Sequence, residues 1–146
     1  MINRKKIFVR HPYLLKGKKT LDLNLFKNDT YSKKTGGKEK FLLRTGFVIL
    51  NIENSIHMKY LNNPIMYEKI YVDYISKTKQ KEHSLEKFEE LKKSFSLEKL
   101  KQNKILITKE EVNNLNSYII LDGCHRASIY FKMISKDLKS EFYEFT

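Results

Sequence analysis

The sequence predicts an α+β fold in a single domain. Its 146 residues are about one domain's worth of chain, and 40% of them are hydrophobic, which is enough to form one core. Over residues 84–134, a helical segment, two strand-like segments and a second helical segment follow one another. Since no repeat, low-complexity tract or Pro-rich linker divides the chain, we expect residues 1–146 to fold as one unit.

The first third of the chain is strongly basic. Residues 1–45 hold 13 basic and 3 acidic side chains, and so carry most of the formal net charge of +12. In this segment, residues 7–10 and 21–26 are possible short strands, and residues 33–38 are expected to form a basic, Gly-containing loop. Such a segment could bind nucleic acid. Because lysine-rich arms are also commonly just solvated, nucleic acid is not the favoured partner.

The middle of the chain predicts one strand and one helix. Residues 45–52 are rich in β-branched and aromatic residues, as is typical of a strand. Asn63 and Pro64 match the N-cap and the first position of a helix. The apolar face of this helix would comprise Ile65, Ile70, Tyr74 and Ile75.

The clearest helix begins after Ser84, a residue type that is favoured at the N-cap. Apolar residues recur at spacings of three and four positions, which places them on one side of the helix. They are Leu85, Phe88, Leu91 and Phe95. The charged residues between them are expected to form a solvated face with local pairing, and not a site.

A strand, a turn and a second strand are predicted after this helix. The strands comprise residues 104–108 and 118–121. The turn is marked by Asn113, Asn114 and Asn116. A polar elbow then leads into a last helix, whose apolar positions are Ala127, Ile129, Tyr130, Met133 and Ile134.

Cysteine content and hydropathy exclude several classes of protein. Cys124 is the single cysteine, so an internal disulfide is impossible, and no Cys/His cluster has the spacing of a zinc site. A reducing compartment is therefore expected. The longest apolar runs are far shorter than the roughly 20 residues of a membrane span, so the sequence predicts a cytoplasmic protein without such a span.

The elbow at residues 122–126 is the strongest candidate site. A strand that passes directly into a helix leaves N–H groups at the helix start, with the positive end of the helix dipole behind them. Gly123 would permit a tight turn, and His125 and Arg126 would add donors to a bound phosphate. Basic side chains are unfavourable at a helix N-terminus unless an anion compensates, which favours an anion site over an ordinary cap and turn.

Cys124 has two possible roles. A free cysteine most often acts as a small buried hydrophobic residue. A position at a helix start, beside His125 and Arg126, would instead lower its pKa and make it reactive. The sequence leaves both roles open.

Residues 118–127, Tyr-Ile-Ile-Leu-Asp-Gly-Cys-His-Arg-Ala, resemble the nucleotide-binding elbow of the ParB/sulfiredoxin superfamily. Sulfiredoxins carry a Gly-Cys-His-Arg sequence that matches residues 123–126. Free serine kinases carry an Asp-Gly-His-His-Arg type that is matched by Asp122, Gly123, His125 and Arg126. ParB proteins usually have a Gly-x-Arg-Arg variant, from which this chain departs because position 125 is histidine. The resemblance covers roughly residues 80–135.

The resemblance implies a fold and a function. The fold is a small mixed sheet with packed helices, in which residues 80–146 form the nucleotide-binding core. The function is a small-molecule kinase that uses ATP or ADP with Mg²⁺ to phosphorylate a hydroxyl of a free amino acid or similar metabolite. Asp122 would hold the metal or act on the substrate, and Glu82 is the nearest match to a catalytic glutamate. The implied nucleotide or phosphate contacts are Ser84, Gly123, Cys124, His125 and Arg126.

Two other functions are open. In a sulfiredoxin-like reductase, the Cys124 thiolate would attack a sulfinic phosphoryl ester, although sulfiredoxins have Gly or Ser where this chain has Asp122. In a ParB-like module, a nucleotide would switch binding of DNA or a partner through residues 1–45, whose aromatic residues permit base stacking. The acceptor of the kinase cannot be read, but its pocket is expected to include polar side chains from residues 63–77. They are Tyr67, Glu68, Tyr71, Asp73 and Tyr74.

Overall fold

The computed structural model describes residues 1–12, 47–77, 83–112 and 115–146. Most of the basic segment lies outside the described residues, including the possible strand at 21–26 and the loop at 33–38. Glu82 and two of the three turn residues, Asn113 and Asn114, also lie outside them.

The described residues form seven strands and five α-helices. The strands are β1 (Ile2–Asn3), β2 (Ile7–Pro12), β3 (Phe47–Asn51), β4 (Ile105–Val112), β5 (Leu115–Asp122), β6 (Asp137–Leu138) and β7 (Tyr143–Phe145). The helices are α1 (Ile56–Asn62), α2 (Pro64–Lys77), α3 (Leu85–Ser94), α4 (Leu97–Gln102) and α5 (Cys124–Met133). Short 3-10 turns occur at Arg4–Lys6, Ile52–Asn54 and Ser140–Phe142.

Within the described residues, the main sheet has five strands in the order β3-β2-β5-β4-β7. It is mixed, because β5 pairs in parallel with β2 and antiparallel with β4. A second sheet joins β1 to β6. The α+β class is therefore confirmed. Because β5 is the middle strand, the elbow at its end lies between the ends of β2 and β4.

Alternate residues of β5 face opposite sides of the sheet. Ile120 belongs to the large core beneath the helices, whereas Ile119 packs with Phe8 and Ile49 on the other face. The β4–β5 register shifts between Leu106 and Ile107, so that one extra β5 residue precedes the elbow. Such bulges bend a strand and change the direction of the chain beyond it.

Helix α3 confirms the sequence prediction at its start and along its apolar side. The Ser84 hydroxyl accepts the backbone N–H of Lys87 at 3.1 Å, and Phe88 is buried. Its charged side is more than a solvated face. The Tyr60 hydroxyl of α1 donates to Glu89, and this hydrogen bond, with a second from Lys92, lowers the pKa of the Glu89 carboxyl.

Helix α2 begins at Pro64 as predicted, but its buried face is different. Ile65 is 98% exposed, whereas Tyr71, Tyr74 and Ile75 are buried. Ile65 is six positions before Tyr71, and so lies about 240° around the helix axis from it. The prediction that Ile65 belongs to the apolar face was therefore wrong.

The last helix shows a similar difference at its end. Ala127, Ile129 and Tyr130 of α5 are buried, but Met133 and Ile134 are exposed. Asn116, predicted in the turn, lies within β5. None of the described helices is both long enough and apolar enough to cross a membrane.

Two helices were not predicted from the sequence. Helix α1 is capped by Ser55, whose hydroxyl accepts the backbone N–H of Met58 at 3.1 Å, and it packs against α2 and α5. Helix α4 is capped by Ser96, whose hydroxyl accepts the backbone N–H of Lys99 at 3.2 Å. Both are short, so a periodic pattern has little length in which to develop. The omission of α1 matters because it carries His57 into the site.

Candidate functional site

The elbow turns at Gly123, which has φ 98° and ψ 26°. This left-handed conformation is open to glycine and unfavourable for other residues. Gly123 is the N-cap of α5, and its carbonyl accepts the N–H of Ala127 at 2.8 Å. None of the side chains that the structure describes caps this helix start. The first N–H groups of α5, where an α-helix has no acceptors of its own, therefore lie at the end of the central strand.

Close neighbours add to the conformational preference for glycine at position 123. A Cβ atom there would lie 3.0 Å from Nη2 and 3.2 Å from Cζ of Arg126, and 3.3 Å from Cγ1 of Ile105. The backbone at the elbow is thus packed directly against the guanidinium of Arg126.

Arg126 joins the elbow to the segment between α4 and β4. Its Nη1 donates to the carbonyl oxygens of Asn103 and Lys104, and its Nη2 lies 3.4 Å from Oδ2 of Asp122. Only 16% of the Arg126 side chain is exposed, against 68% for Asp122. The arginine predicted as a phosphate donor therefore also holds the site together.

His125 is enclosed by aromatic rings. Its Nε2 lies 2.8 Å from the hydroxyl of Tyr71. His83 stacks on it with 4.3 Å between ring centroids, and His57 and Phe88 meet it edge-on at 4.2 and 4.7 Å. These rings come from α1, α2, α3 and the residue before α3's N-cap.

Cys124 is partly buried and packs against the core, which favours the first of the two roles that the sequence left open. Its Sγ lies 3.4 Å from Nδ1 of His57. Burial raises the pKa of the Cys124 thiol to about 12, and a hydrogen bond with Ser128 offsets only part of this. The helix-start position predicted a lowered pKa. The structure has the opposite because removal of the thiolate from water outweighs the helix dipole.

A cavity of about 520 Å³ opens at the elbow. Three cationic side chains line it, namely Arg10, Lys87 and Arg126. Arg10 also forms an ion pair with Glu110 at 3.0 Å. Among the described lining residues, Asp122 is the one carboxylate. The other lining residues are Val9, His57, Tyr74, His83, Ser84, Phe88, Leu91, Asn103, Ile120, Leu121, Gly123, Cys124 and His125.

A second cavity, of about 290 Å³, adjoins the first. The two share Leu91, Asn103 and Arg126. Its remaining lining is apolar or uncharged except for Lys99. The added residues are Ser94, Phe95, Ser96, Lys99, Leu100 and Gln102. Arg126 therefore stands between a polar, cationic cavity and a more apolar one.

The part of the chain that the structure describes contains no cluster of three or more His, Cys, Asp or Glu side chains that could hold a metal ion. Mg²⁺ commonly binds proteins through one or two carboxylates, with substrate phosphates and water completing its ligands. The exposed carboxylate of Asp122 fits that limited role.

The structure brings six of the predicted site residues to one cavity. They are Ser84, Asp122, Gly123, Cys124, His125 and Arg126. Ser84 contributes mainly as the cap of α3, since its hydroxyl oxygen accepts the N–H of Lys87. Glu82, the seventh, is not among the described residues, and its catalytic role stays a prediction.

Sequence reasoning missed Arg10, His57, His83 and Lys87. His83 and Lys87 flank Ser84 at positions −1 and +3, so an inspection of the first turn of α3 for basic side chains would have found them. His57 follows its own N-cap, Ser55, by two residues, but nothing in the sequence links α1 to the elbow. Arg10 is brought in only by the pairing of β2 with β5.

No protein-family model matches the chain, and no curated protein or solved structure matches it either. The chemistry of the site is therefore argued from its geometry.

We predict that Gly123→Ala lowers the free energy of unfolding by about 1–3 kcal/mol, because the new Cβ combines a strained φ with contacts to Arg126 and Ile105. Chemical denaturation measures this loss. The control is Lys132→Ala on the exposed side of α5, which should change stability by less than about 0.5 kcal/mol. Equal stability of the two variants would contradict the elbow geometry.

We also predict that Cys124 resists alkylation. With its pKa raised to about 12, the folded protein holds a thiol and not a thiolate at neutral pH. The rate with iodoacetamide should therefore keep rising with pH beyond about 10, where the rate of an ordinary thiol of pKa about 8.5 has already levelled off. The same chain unfolded in denaturant is the control, and rapid labelling of the folded protein at pH 7 would refute the prediction.

Proposed function

We propose that this protein is a nucleotide-dependent small-molecule kinase of the ParB/sulfiredoxin type. It binds ATP or ADP at the elbow and transfers the terminal phosphate to a hydroxyl group. The observation that carries the proposal is the start of α5 at a positive-φ glycine, inside a cavity lined by three cationic side chains and one carboxylate.

The charge of the cavity supports a phosphate ligand. Helix N-termini bind phosphate through their backbone N–H groups and the positive end of the helix dipole. Here Lys87 and Arg126 add charged donors on the cavity wall, and Arg10 adds a third. These cations repel one another and the positive end of the helix dipole. A bound polyphosphate would offset this repulsion.

The two cavities accommodate the two ends of a nucleotide. A volume of about 520 Å³ lies within the usual range of about 300–1,000 Å³ for small-molecule sites. We place the phosphates at the elbow and the base in the adjoining cavity, where Phe95 and Leu100 supply apolar contacts and Gln102 supplies an amide. Arg126 then lies between base and phosphates.

Asp122 is placed to serve the transfer. Phosphoryl transfer depends mainly on positioning and on neutralising charge, so one carboxylate at the phosphate site suffices for either a metal or a proton. Mg²⁺, bound with the nucleotide, would neutralise charge on the phosphates. Glu82 is the second candidate to accept the hydroxyl proton, since it precedes His83 of the cavity wall. The acceptor is a free amino acid or a similar hydroxylated metabolite.

The sulfiredoxin-like alternative receives less support. That chemistry requires the Cys124 thiolate as nucleophile, and burial keeps this thiol protonated. The neighbouring carboxylate of Asp122 would further oppose its ionisation. DNA or partner binding through residues 1–45 stays a prediction from the sequence.

We predict that ATP or ADP binds in the presence of Mg²⁺ and that Lys87→Ala weakens this binding about tenfold, which is typical for the loss of one charged contact. Isothermal titration calorimetry measures both. Lys93→Ala removes an equal charge from the same helix outside the cavity, and should change the affinity by less than twofold or about 0.4 kcal/mol.

The absence of nucleotide binding in the unaltered chain would refute the proposed function. Equal nucleotide affinities of the Lys87 and Lys93 variants would refute the placement of the phosphates at the elbow.

We further predict that Cys124→Ser retains most of the phosphate transfer, because the sulfur takes no part in it. The assay follows transfer from labelled ATP or ADP to a panel of free amino acids and sugars. Asp122→Asn is the paired variant, and it should bind nucleotide yet transfer at least about a hundredfold more slowly. Loss of all activity in a correctly folded serine variant would favour the sulfiredoxin-like reaction instead.

A further inference from the structure

Helix α3 lines both cavities with one side. Lys87, Leu91 and Ser94 recur at spacings of four and three positions, which places them within about 60° of one another around the helix axis. Lys87 lines the cavity at the elbow, Ser94 lines the adjoining cavity, and Leu91 lines both. The rotation of α3 about its own axis therefore decides where these side chains stand in the two cavities.

The opposite side of α3 is attached to α1. Glu89 follows Lys87 by two positions, and so lies about 200° from it around the axis. The Glu89 carboxylate accepts a hydrogen bond from the hydroxyl of Tyr60, a buried residue of α1. The Tyr60 ring also packs on Phe88, with 5.6 Å between the ring centroids. Tyr60 thus contacts two successive residues of α3, one with its ring and one with its hydroxyl.

The Tyr60–Glu89 hydrogen bond joins a neutral phenol to a charged carboxylate. Burial, and then the hydrogen bond itself, raise the pKa of the Tyr60 hydroxyl, so it keeps the proton that it donates. The same hydrogen bond lowers the pKa of the Glu89 carboxyl, so the acceptor is ionised at neutral pH. Hydrogen bonds to an ionised partner are roughly twice as strong as those between neutral groups. Lys92 also contacts Glu89, at 2.9 Å, but it belongs to α3 and so does not attach this helix to α1.

Phe88 is the buried residue of α3, and it lies between the two sides of the helix. It is about 100° from both Lys87 and Glu89 around the axis. Burial of this ring holds α3 on the core, but the hydrophobic effect has no direction and so tolerates some rotation of the helix. A hydrogen bond weakens steeply as its distance and angle change. The bond at Glu89 therefore supplies the directional contact that Phe88 lacks.

We propose that Tyr60 and Glu89 are positioning residues that set the rotation of α3 about its axis and thereby hold Lys87 at the elbow cavity, where it contacts phosphate. The contact of Lys87 with phosphate rests on the proposed function. The rotation of α3 does not, and it can be measured on the protein without nucleotide.

NMR of the weakly aligned full chain measures the rotation. Residual dipolar couplings of the backbone ¹⁵N–¹H pairs vary with the helical period along α3, and the phase of this variation reports the rotation of the helix about its axis. In Tyr60→Phe, which keeps the ring and removes the donor, the variation should shift in phase or lose amplitude. Lys92→Ala removes the other partner of Glu89 within α3, and is the matched control that should leave the phase unchanged.

Nucleotide affinity supplies the second measurement. Tyr60→Phe should weaken binding of ADP with Mg²⁺ about fivefold, which is less than the effect of Lys87→Ala because the lysine is displaced and not removed. In the Lys87→Ala background, Tyr60→Phe should change the affinity by less than about twofold, since its effect acts through Lys87. A general loss of stability would instead weaken binding equally in both backgrounds.

The conservative substitution at Glu89 completes the test. Glu89→Gln keeps an oxygen that accepts the Tyr60 hydroxyl, and should retain both the phase of the couplings and an affinity within about twofold of the unaltered protein. Glu89→Ala removes the acceptor and should behave as Tyr60→Phe does in both measurements.

The outcomes are separable. Dipolar couplings along α3 that are unchanged in Tyr60→Phe, or that change equally in Lys92→Ala, would overturn the role of the Tyr60–Glu89 pair in setting the rotation. An equal loss of ADP affinity with and without Lys87 would overturn the action of the pair through that lysine. If the couplings behave as expected but no nucleotide binds to the unaltered chain, the proposed function fails and the setting of the α3 rotation by Tyr60 and Glu89 stands.

Discussion

The guanidinium of Arg126 is the group on which the geometry of the site depends. It extends from the first turn of α5 to the carbonyls of Asn103 and Lys104, which lie between α4 and β4, and it packs directly against Gly123. Three separate segments are thereby fixed by one planar group with several donors. Because the side chain also forms the wall between the two cavities, any ligand that contacts it acts on the relative positions of those segments.

Burial then assigns different chemistry to neighbouring residues of one short sequence. Cys124 faces the core and His57, where the cost of desolvation keeps it a thiol. His125 is also enclosed, but by rings and by the phenol of Tyr71, whose hydroxyl lies within hydrogen-bond distance of its Nε2. Asp122 remains largely in water. A motif that is polar throughout thus separates into a thiol with a raised pKa, an enclosed imidazole and an accessible carboxylate.

The local part of the site was predictable from the sequence, and the long-range part was not. The cap at Ser84 and the junction of a strand with Gly123 depend on residues close in sequence. A short stretch of sequence is therefore enough to predict them. The α+β class follows from the same kind of pattern. His57 and Arg10 depend on which helices and strands pack together, and no local pattern reports this. Ile65 shows the same limit, since an apolar residue was assigned to the core although its position on α2 faces water.

The parallel pairing of β2 with β5 has a consequence for how the site forms during folding. Ile7 is opposite Tyr118, so the pairing closes a loop of more than 100 residues. Loops of this size form slowly, because the entropy of closure is lost before the contacts are gained. Arg10 follows in the same strand, and His57 and Tyr71 lie within the loop. If the segment with the elbow were separated from the preceding residues, it would therefore lack the rings of His57 and Tyr71 that enclose His125. We therefore expect the pocket to be completed late in folding, and a ligand bound there would stabilise the fully paired sheet.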